Sequence, residues 1–124
     1  MISIVDDDKS VREAAKTLVR SLGYSAATFA SAEEFLNSGR LDETACLIVD
    51  VQMPGMSGAD LQNHLTAKGD CTPVIFVTAF SERGLREHVL RAGAVGFLSK
   101  PFREDNLIAC LDKALALRRS RSSS

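Results

Sequence analysis

Cys46-Leu47-Ile48-Val49-Asp50 is a near-continuous apolar run that stops on an acid. A strand without polar alternation suits a position covered on both faces, as in a parallel sheet. Three more runs behave alike. Ser3-Ile4-Val5 leads into Asp6-Asp7-Asp8, Val74-Ile75-Phe76-Val77 stops at Thr78, and Gly96-Phe97-Leu98-Ser99 reaches Lys100-Pro101. In an open parallel sheet, ligands bind outside the carboxyl ends of the strands, near the point where strand order reverses. Parallel alignment of these runs therefore collects carboxylates, a hydroxyl and an ammonium along one edge. That set of groups suits a divalent metal and a phosphoryl group.

The segments between the runs read as helices. Asp8 is placed to cap a helix in which Val11, Ala14, Ala15, Leu18, Val19 and Leu22 recur at helical spacing, with Gly23 as its stop. Tyr24 to Phe29 reads as a weaker strand with polar residues interleaved, as at a sheet edge. Ser31 with Glu34 forms a capping-box pattern that opens a short helix fading by Gly39. After the loop Met53-Pro54-Gly55-Met56-Ser57-Gly58, Ser57 and Asp60 open a third helix carrying Leu61 and Leu65 and closed near Gly69. A fourth begins at Ser81, with Leu85, Val89 and Ala92 on one stripe and Gly93 at its end, and Leu107, Ile108, Leu111, Ala114 and Leu115 mark a fifth. The alternation predicts one α/β domain over residues 1–117, a doubly wound five-stranded parallel sheet with five helices. Residues 118–124 are basic and Ser-rich without an apolar side chain, and are expected to be a flexible tail or the start of a linker.

The bulk composition excludes several classes. A chain of 124 residues, 45% hydrophobic and 25% charged with formal net charge −1, is an ordinary single globular domain. Near-neutrality argues against nucleic-acid binding by this domain, which usually needs a strong basic face. No apolar stretch approaches the roughly 20 residues of a membrane-spanning helix, and acid is met by Asp6, too early for a signal segment. Cys46, Cys71 and Cys110 are odd in number and lack metal-ligand spacing, which fits reduced thiols of a cytoplasmic protein. His64 and His88 lie on helix patterns without a His or Cys partner and read as solvated helix residues. Arg86, Arg91 and Arg103 read as helix-exterior charges that could rim an interaction surface.

Asp6, Asp7 and Asp50 carry the chemical argument. Three carboxylates converging on one edge repel, and the usual relief is a hard cation with oxygen ligands. Taken singly, each candidate has an ordinary explanation: acids cap helices, Asp50 could form an Asx-turn, Thr78 is a strand-end threonine and Lys100 a surface lysine. Together, on four different strand ends, they make a phosphoryl-transfer set: a carboxylate nucleophile, a metal, a hydroxyl donor and a cation. An X-Pro bond after Lys100 can fix the direction of that lysine.

The motifs Val5-Asp6-Asp7-Asp8, Val49-Asp50-Val51-Gln52-Met53-Pro54-Gly55-Met56-Ser57-Gly58, Val77-Thr78-Ala79 and Lys100-Pro101-Phe102 resemble those of the receiver domain of bacterial two-component response regulators. The resemblance covers Ile2 to about Leu117, and the stretch from Arg91 to Phe102 is similar to the subgroup typified by the nitrogen-fixation regulator FixJ. It implies a flavodoxin/CheY-like sheet of strand order 2-1-3-4-5. It also implies that Asp50 receives phosphoryl from a sensor histidine kinase. Asp7 would bind Mg²⁺ directly, Asp6 through water, and the backbone carbonyl of Gln52 would complete the protein's ligands. Thr78 and Lys100 would contact the phosphoryl group, and Phe97 would be the switch aromatic, although from the residues alone it is equally a core aromatic on an edge strand. Gln52 and Phe80, two positions after Asp50 and Thr78, would set the phosphoryl lifetime.

Such a domain is a phosphorylation substrate that catalyses its own phosphotransfer and slow dephosphorylation, not a conventional enzyme. The expected response is a change in the face of the fourth helix, fifth strand and fifth helix. Phosphorylation-dependent homodimerisation would follow there, through Leu90 or Val89 beside Arg86, Arg91 and Arg103. The output would be transcription through a C-terminal domain; the alternative is a stand-alone receiver or phosphorelay interaction module. Haloacid-dehalogenase-like phosphatases require an acid two residues after the nucleophile, where this chain has Gln52. A flavin-binding flavodoxin would need a phosphate loop after the first strand, where this chain has three acids that repel phosphate.

Overall fold

Strands that lack a polar face need cover on both sides, and the chain supplies it. The computed structural model describes residues 1–51, 53, 55–70, 72–78, 87, 91, 93–100 and 103–122. Five parallel strands, β1 (Ile2–Val5), β2 (Ala26–Phe29), β3 (Cys46–Asp50), β4 (Val74–Thr78) and β5 (Gly96–Ser99), form one sheet in the order β2-β1-β3-β4-β5. Every residue of β1, β3 and β4 is buried, whereas β2 and β5, at the edges, are partly exposed. This is the doubly wound sheet with the strand order expected of the flavodoxin-like class.

Alternate side chains of the central strands enter two separate cores. Val5, Leu47, Val49 and Phe76 pack with Phe35 of α2 (Ala32–Asn37) and with Leu61 and Leu65 of α3 (Gly58–Ala67). Ile4, Ile48, Ile75 and Val77 pack on the other face with Ala15 and Val19 of α1 (Lys9–Ser21) and with Leu107, Leu111 and Ala114 of the C-terminal helix (Glu104–Ser122). Cys46 and Cys110 are free thiols in the second core, and burial pushes the Cys46 thiol up to about 12, so it remains a protonated, inert core side chain. Ser3 and Thr44, both fully buried, satisfy each other at 2.7 Å, and Thr44 Oγ1 donates onward to the Arg40 carbonyl at 2.9 Å. That chain ties β1 to the 3-10 turn Leu41–Glu43, which precedes β3.

Helix starts follow local chemistry. Asp8 caps α1 by accepting from the amides of Ser10 and Val11. Ser57 and Asp60 form a reciprocal capping box at α3. At α2, Ser31 accepts from Glu34 N–H as expected, but the Glu34 carboxylate reaches one residue further back, to Ala30 N–H at 2.8 Å.

Three boundaries depart from the sequence reading. β2 begins at Ala26 rather than Tyr24. The turn at Leu41–Glu43 was not anticipated. The C-terminal helix continues through Ser122, where a tail from Arg118 was expected; Ala116, Leu117, Arg118 and Arg119 are strong helix formers that prolong a helix already started. Of the fourth expected helix, Glu87 and Arg91 are described and both are helical.

α3 approaches β3 very closely. A Cβ built at Gly58 would lie 2.5 Å from the Asp50 carbonyl oxygen and 3.0 Å from Phe76 Cε1. The first of these is backbone and cannot rotate away. Gly58→Ala would gain at most about 1 kcal/mol of helix propensity, against an overpacking cost of about 1–3 kcal/mol. The backbone contact puts the cost at the upper end, so the expected outcome is a net loss of about 1–2 kcal/mol, read as a lower urea midpoint at unchanged denaturant slope; an equal or higher midpoint would show that α3 tolerates displacement from β3.

Candidate functional site

Strand register decides which side chains meet. Val5 lies beside Val49, so Asp6 continues beside Asp50 at the carboxyl end of the two central strands. Asp50 lies beside Val77 and Thr78 beside Ser99, so Thr78 and Lys100 follow in steps along the same edge. β1 and β3 are the strands between which the chain changes direction across the sheet, so the acids sit at the switch point.

Asp6, Asp7 and Asp50 each present a carboxylate oxygen, and the three oxygens lie within 4.8 Å of one another. Asp6 and Asp50 are buried, at 2% and 6% exposure, while Asp7 is exposed to solvent. Lys100 Nζ bridges the buried pair, 2.8 Å from Asp6 Oδ2 and 2.9 Å from Asp50 Oδ2. Burial holds the Asp6 carboxyl above the ordinary carboxylate range, and its bonds from Lys100 and the Asp8 amide only partly offset this. Burial would likewise lower the Lys100 ammonium, but the carboxylates of Asp6 and Asp50 outweigh it and raise its pKa. One ammonium against three carboxylates leaves excess negative charge, which oxygen-liganded Mg²⁺ or a similar hard cation would neutralise. The donor set fits such an ion: hard oxygen ligands, few in number, with Asp7 exposed to solvent.

Backbone contacts hold this edge in shape. Asp6 Oδ1 accepts from Asp8 N–H at 2.9 Å, and Arg12 Nη1 donates to the Asp6 carbonyl at 2.8 Å. The Lys100 amide donates to the Thr78 carbonyl at 2.7 Å, fixing the exit of β5 against the end of β4. Val51 N–H donates to Val77 O at 2.9 Å and Gly58 N–H to Val51 O at 3.1 Å, so the loop after Asp50 leaves and returns beside the site.

The sequence-predicted residues Asp6, Asp7, Asp50 and Lys100 thus come together. Thr78 is fully buried on the neighbouring strand end. Phe97, half-buried on β5 opposite Phe76, packs against the core shared with α2 and α3. His64 is half-buried in the last turn of α3, and Arg91 and Arg103 are exposed, with Arg103 3.4 Å from Asp105. Gln52, Phe80, Arg86, His88, Val89, Leu90, Pro101, Phe102 and Cys71 lie outside the described residues. Sequence reasoning missed Arg12 and Gly58. Neither role shows in the residue type, because each acts across a loop on backbone at the end of the preceding strand.

The family profile described as the response regulator receiver domain matches residues 2–112. The response regulator protein TodT of Pseudomonas putida is 44% identical over 117 residues, covering 94% of this chain and 52% of that protein. The transcriptional regulatory protein FixJ of Azorhizobium caulinodans is 35% identical over 114 residues, covering 92% of this chain and 54% of that protein. The chain therefore spans about half the length of these relatives. Among solved structures, that of the response regulator StyR superposes with a TM-score of 0.89 at 41% identity, covering 98% of this chain and 62% of that one. Sheet order, an acid cluster at the switch point and these matches agree, and the chain belongs to the response regulator receiver domain family.

Proposed function

We propose that this receiver takes a phosphoryl group from a sensor histidine kinase onto Asp50 and uses it to switch an output. The observation that carries the reading is the placement of Asp50: buried at the end of a central strand, bonded to Lys100, with its carboxylate inside the Asp6–Asp7 cluster. Asp7, Asp6, Asp50 and the Gln52 carbonyl would hold Mg²⁺, which when bound supplies charge neutralisation for the phosphoryl oxygens.

In the transfer, a carboxylate oxygen of Asp50 attacks phosphorus in line. The new P–O bond forms as the donor P–N bond breaks, and the departing imidazole takes a proton from solvent. Lys100 turns from the carboxylate oxygens toward the phosphoryl oxygens, and the Thr78 hydroxyl donates to one of them. Dephosphorylation returns the carboxylate and inorganic phosphate after in-line attack by water, whose access Gln52 and Phe80 govern. These steps need only the domain's own groups, a metal and a donor, so the protein is a self-modifying signalling substrate. FixJ is described as a transcriptional regulator, which supports transcription as the output of the full protein, through a region other than this domain.

Acetyl phosphate with Mg²⁺ should add one phosphoryl mass to the wild type and none to Asp50→Asn. A label persisting in that variant would assign the nucleophile elsewhere.

Mg²⁺ should raise the thermal midpoint. A ligand at a hundredfold its Kd stabilises by about 2.7 kcal/mol, on the order of 10 °C for a domain of this size. Asp7→Asn should remove most of that rise, and a wild type indifferent to saturating Mg²⁺ would count against the metal site.

Capture of the Thr78 hydroxyl by phosphate would vacate space for Phe97 to turn inward. Phe97 starts half-buried, so completing its burial is worth roughly half of what a fully exposed phenylalanine gains, about 1 kcal/mol, enough to shift a two-state equilibrium about fivefold. Sedimentation with and without beryllofluoride should then show self-association of the wild type in the phosphoryl-mimic state, weakened in Phe97→Ala and Thr78→Ala. A wild type monomeric in both states would place the output in contacts with another domain or partner.

A further inference from the structure

Glu33 and Glu34 are adjacent acids in the first turn of α2 that do different things. Glu34 closes the cap of its own helix, through Ser31 and Ala30. Glu33 takes no part in that cap. Its Oε1 accepts from the Met56 backbone N–H at 2.9 Å, across 23 residues of chain. The same carboxylate covers Gly55, where φ is +76° and a Cβ would stand 3.3 Å from Glu33 Oε2 and 3.5 Å from Oε1. Gly55 lies next to this side chain, and a residue without a Cβ allows both the turn and the approach.

Met56 belongs to the loop that begins at Asp50. The loop is fixed at its start by Val51 N–H to Val77 O and at its end by the Ser57–Asp60 capping box. Between these points Met53 is buried in the core and Met56 packs partly against it, but apolar packing is non-directional and does not set the rotation of a peptide plane. The bond from Met56 N–H to Glu33 does. We propose that Glu33 is a positioning residue for the metal site, holding the loop after Asp50 in the conformation that binds Mg²⁺. This inference rests on the reading that the acid cluster takes Mg²⁺ with help from that loop's Gln52 carbonyl. Outer partners that orient ligands typically change metal affinity by about 10–100-fold when removed; Glu33 acts through the loop backbone and belongs at the low end.

An acid in the first turn of a helix also interacts favourably with the helix dipole, and its charge attracts a nearby cation through space. The variants separate these roles. Glu33→Gln removes the charge and keeps an oxygen acceptor at the same reach. Glu33→Asp keeps the charge and withdraws the acceptor by one methylene. Mg²⁺ affinity is measured by calorimetric titration, and exchange of the Met56 amide by nuclear magnetic resonance on the metal-free protein. Glu33→Ala and Glu33→Asp should weaken Mg²⁺ binding about tenfold and speed Met56 exchange, with Glu33→Gln within about twofold of wild type in both readouts. Equal Mg²⁺ affinity in wild type, Glu33→Ala and Glu33→Asp overturns the positioning role. So does a loss in Glu33→Gln as large as in Glu33→Ala, which would make the effect one of charge, and so does unchanged Met56 exchange in a variant that binds Mg²⁺ weakly. Should Glu33→Ala fail to fold, the comparison of Asp with Gln decides alone. A wild type that binds no Mg²⁺ defeats the metal reading itself, and this inference with it, a result distinct from variants that match a binding wild type.

Discussion

An ammonium held between two buried carboxylates organises the carboxyl edge of this sheet. Lys100 lies within 3 Å of both Asp6 and Asp50, and without a cation there the two acids, on adjacent strands in register, would face each other across a desolvated edge. Breaking a buried pair by removing one partner is strongly destabilising, because the remaining charge is left uncompensated. The arrangement is still incomplete as electrostatics. Asp7 adds a third carboxylate to the cluster, and Asp6 bears a raised pKa despite its bond to Lys100. The site is thus stable enough to fold and unbalanced enough to take up a further cation.

The geometry of the edge is inherited from the sheet. Parallel register places Asp6, Asp50, Thr78 and Lys100 on consecutive strand ends, and the reversal of strand order between β1 and β3 opens the crevice in which the first two meet. Close packing then limits movement: α3 rests on the Asp50 carbonyl through Gly58, and β5 is bonded to β4 through the Lys100 amide. The edge strand β5, carrying Phe97, is less enclosed than the central strands.

How much of this was legible in the sequence depended on whether the relevant physics was local. The central strands announce themselves as unbroken apolar runs, and because each run ends on Asp, Thr or Lys, the members of the site could be read from the same residues as the fold. Caps at Asp8, Ser31 and Ser57 are equally local. Arg12, Gly58 and Glu33 were not legible. Arg12 and Gly58 act on backbone at the end of the preceding strand and Glu33 on backbone 23 residues ahead, and an arginine, glycine or glutamate in a helix's first turns has many commoner explanations. The late start of β2 reflects an edge strand with little burial to define its limits. The helix beyond Leu117 reflects propensity prevailing over a polar, apolar-free composition.

Fifty residues of chain separate Asp50 from Lys100, and this spacing bears on how the molecule is built as well as on how it works. β1 and β3 can pair once residues 2–50 exist, whereas the ammonium arrives with β5, two strands later. Parallel pairing is already slow, since loop closure must be completed before distant contacts reward it. In the half-assembled sheet Asp6 and Asp50 would meet without their counter-ion, so repulsion opposes the central register until the far edge docks. The last strand in the chain thus stabilises the central pair of the sheet. The centre of the sheet and its far edge are coupled through charge.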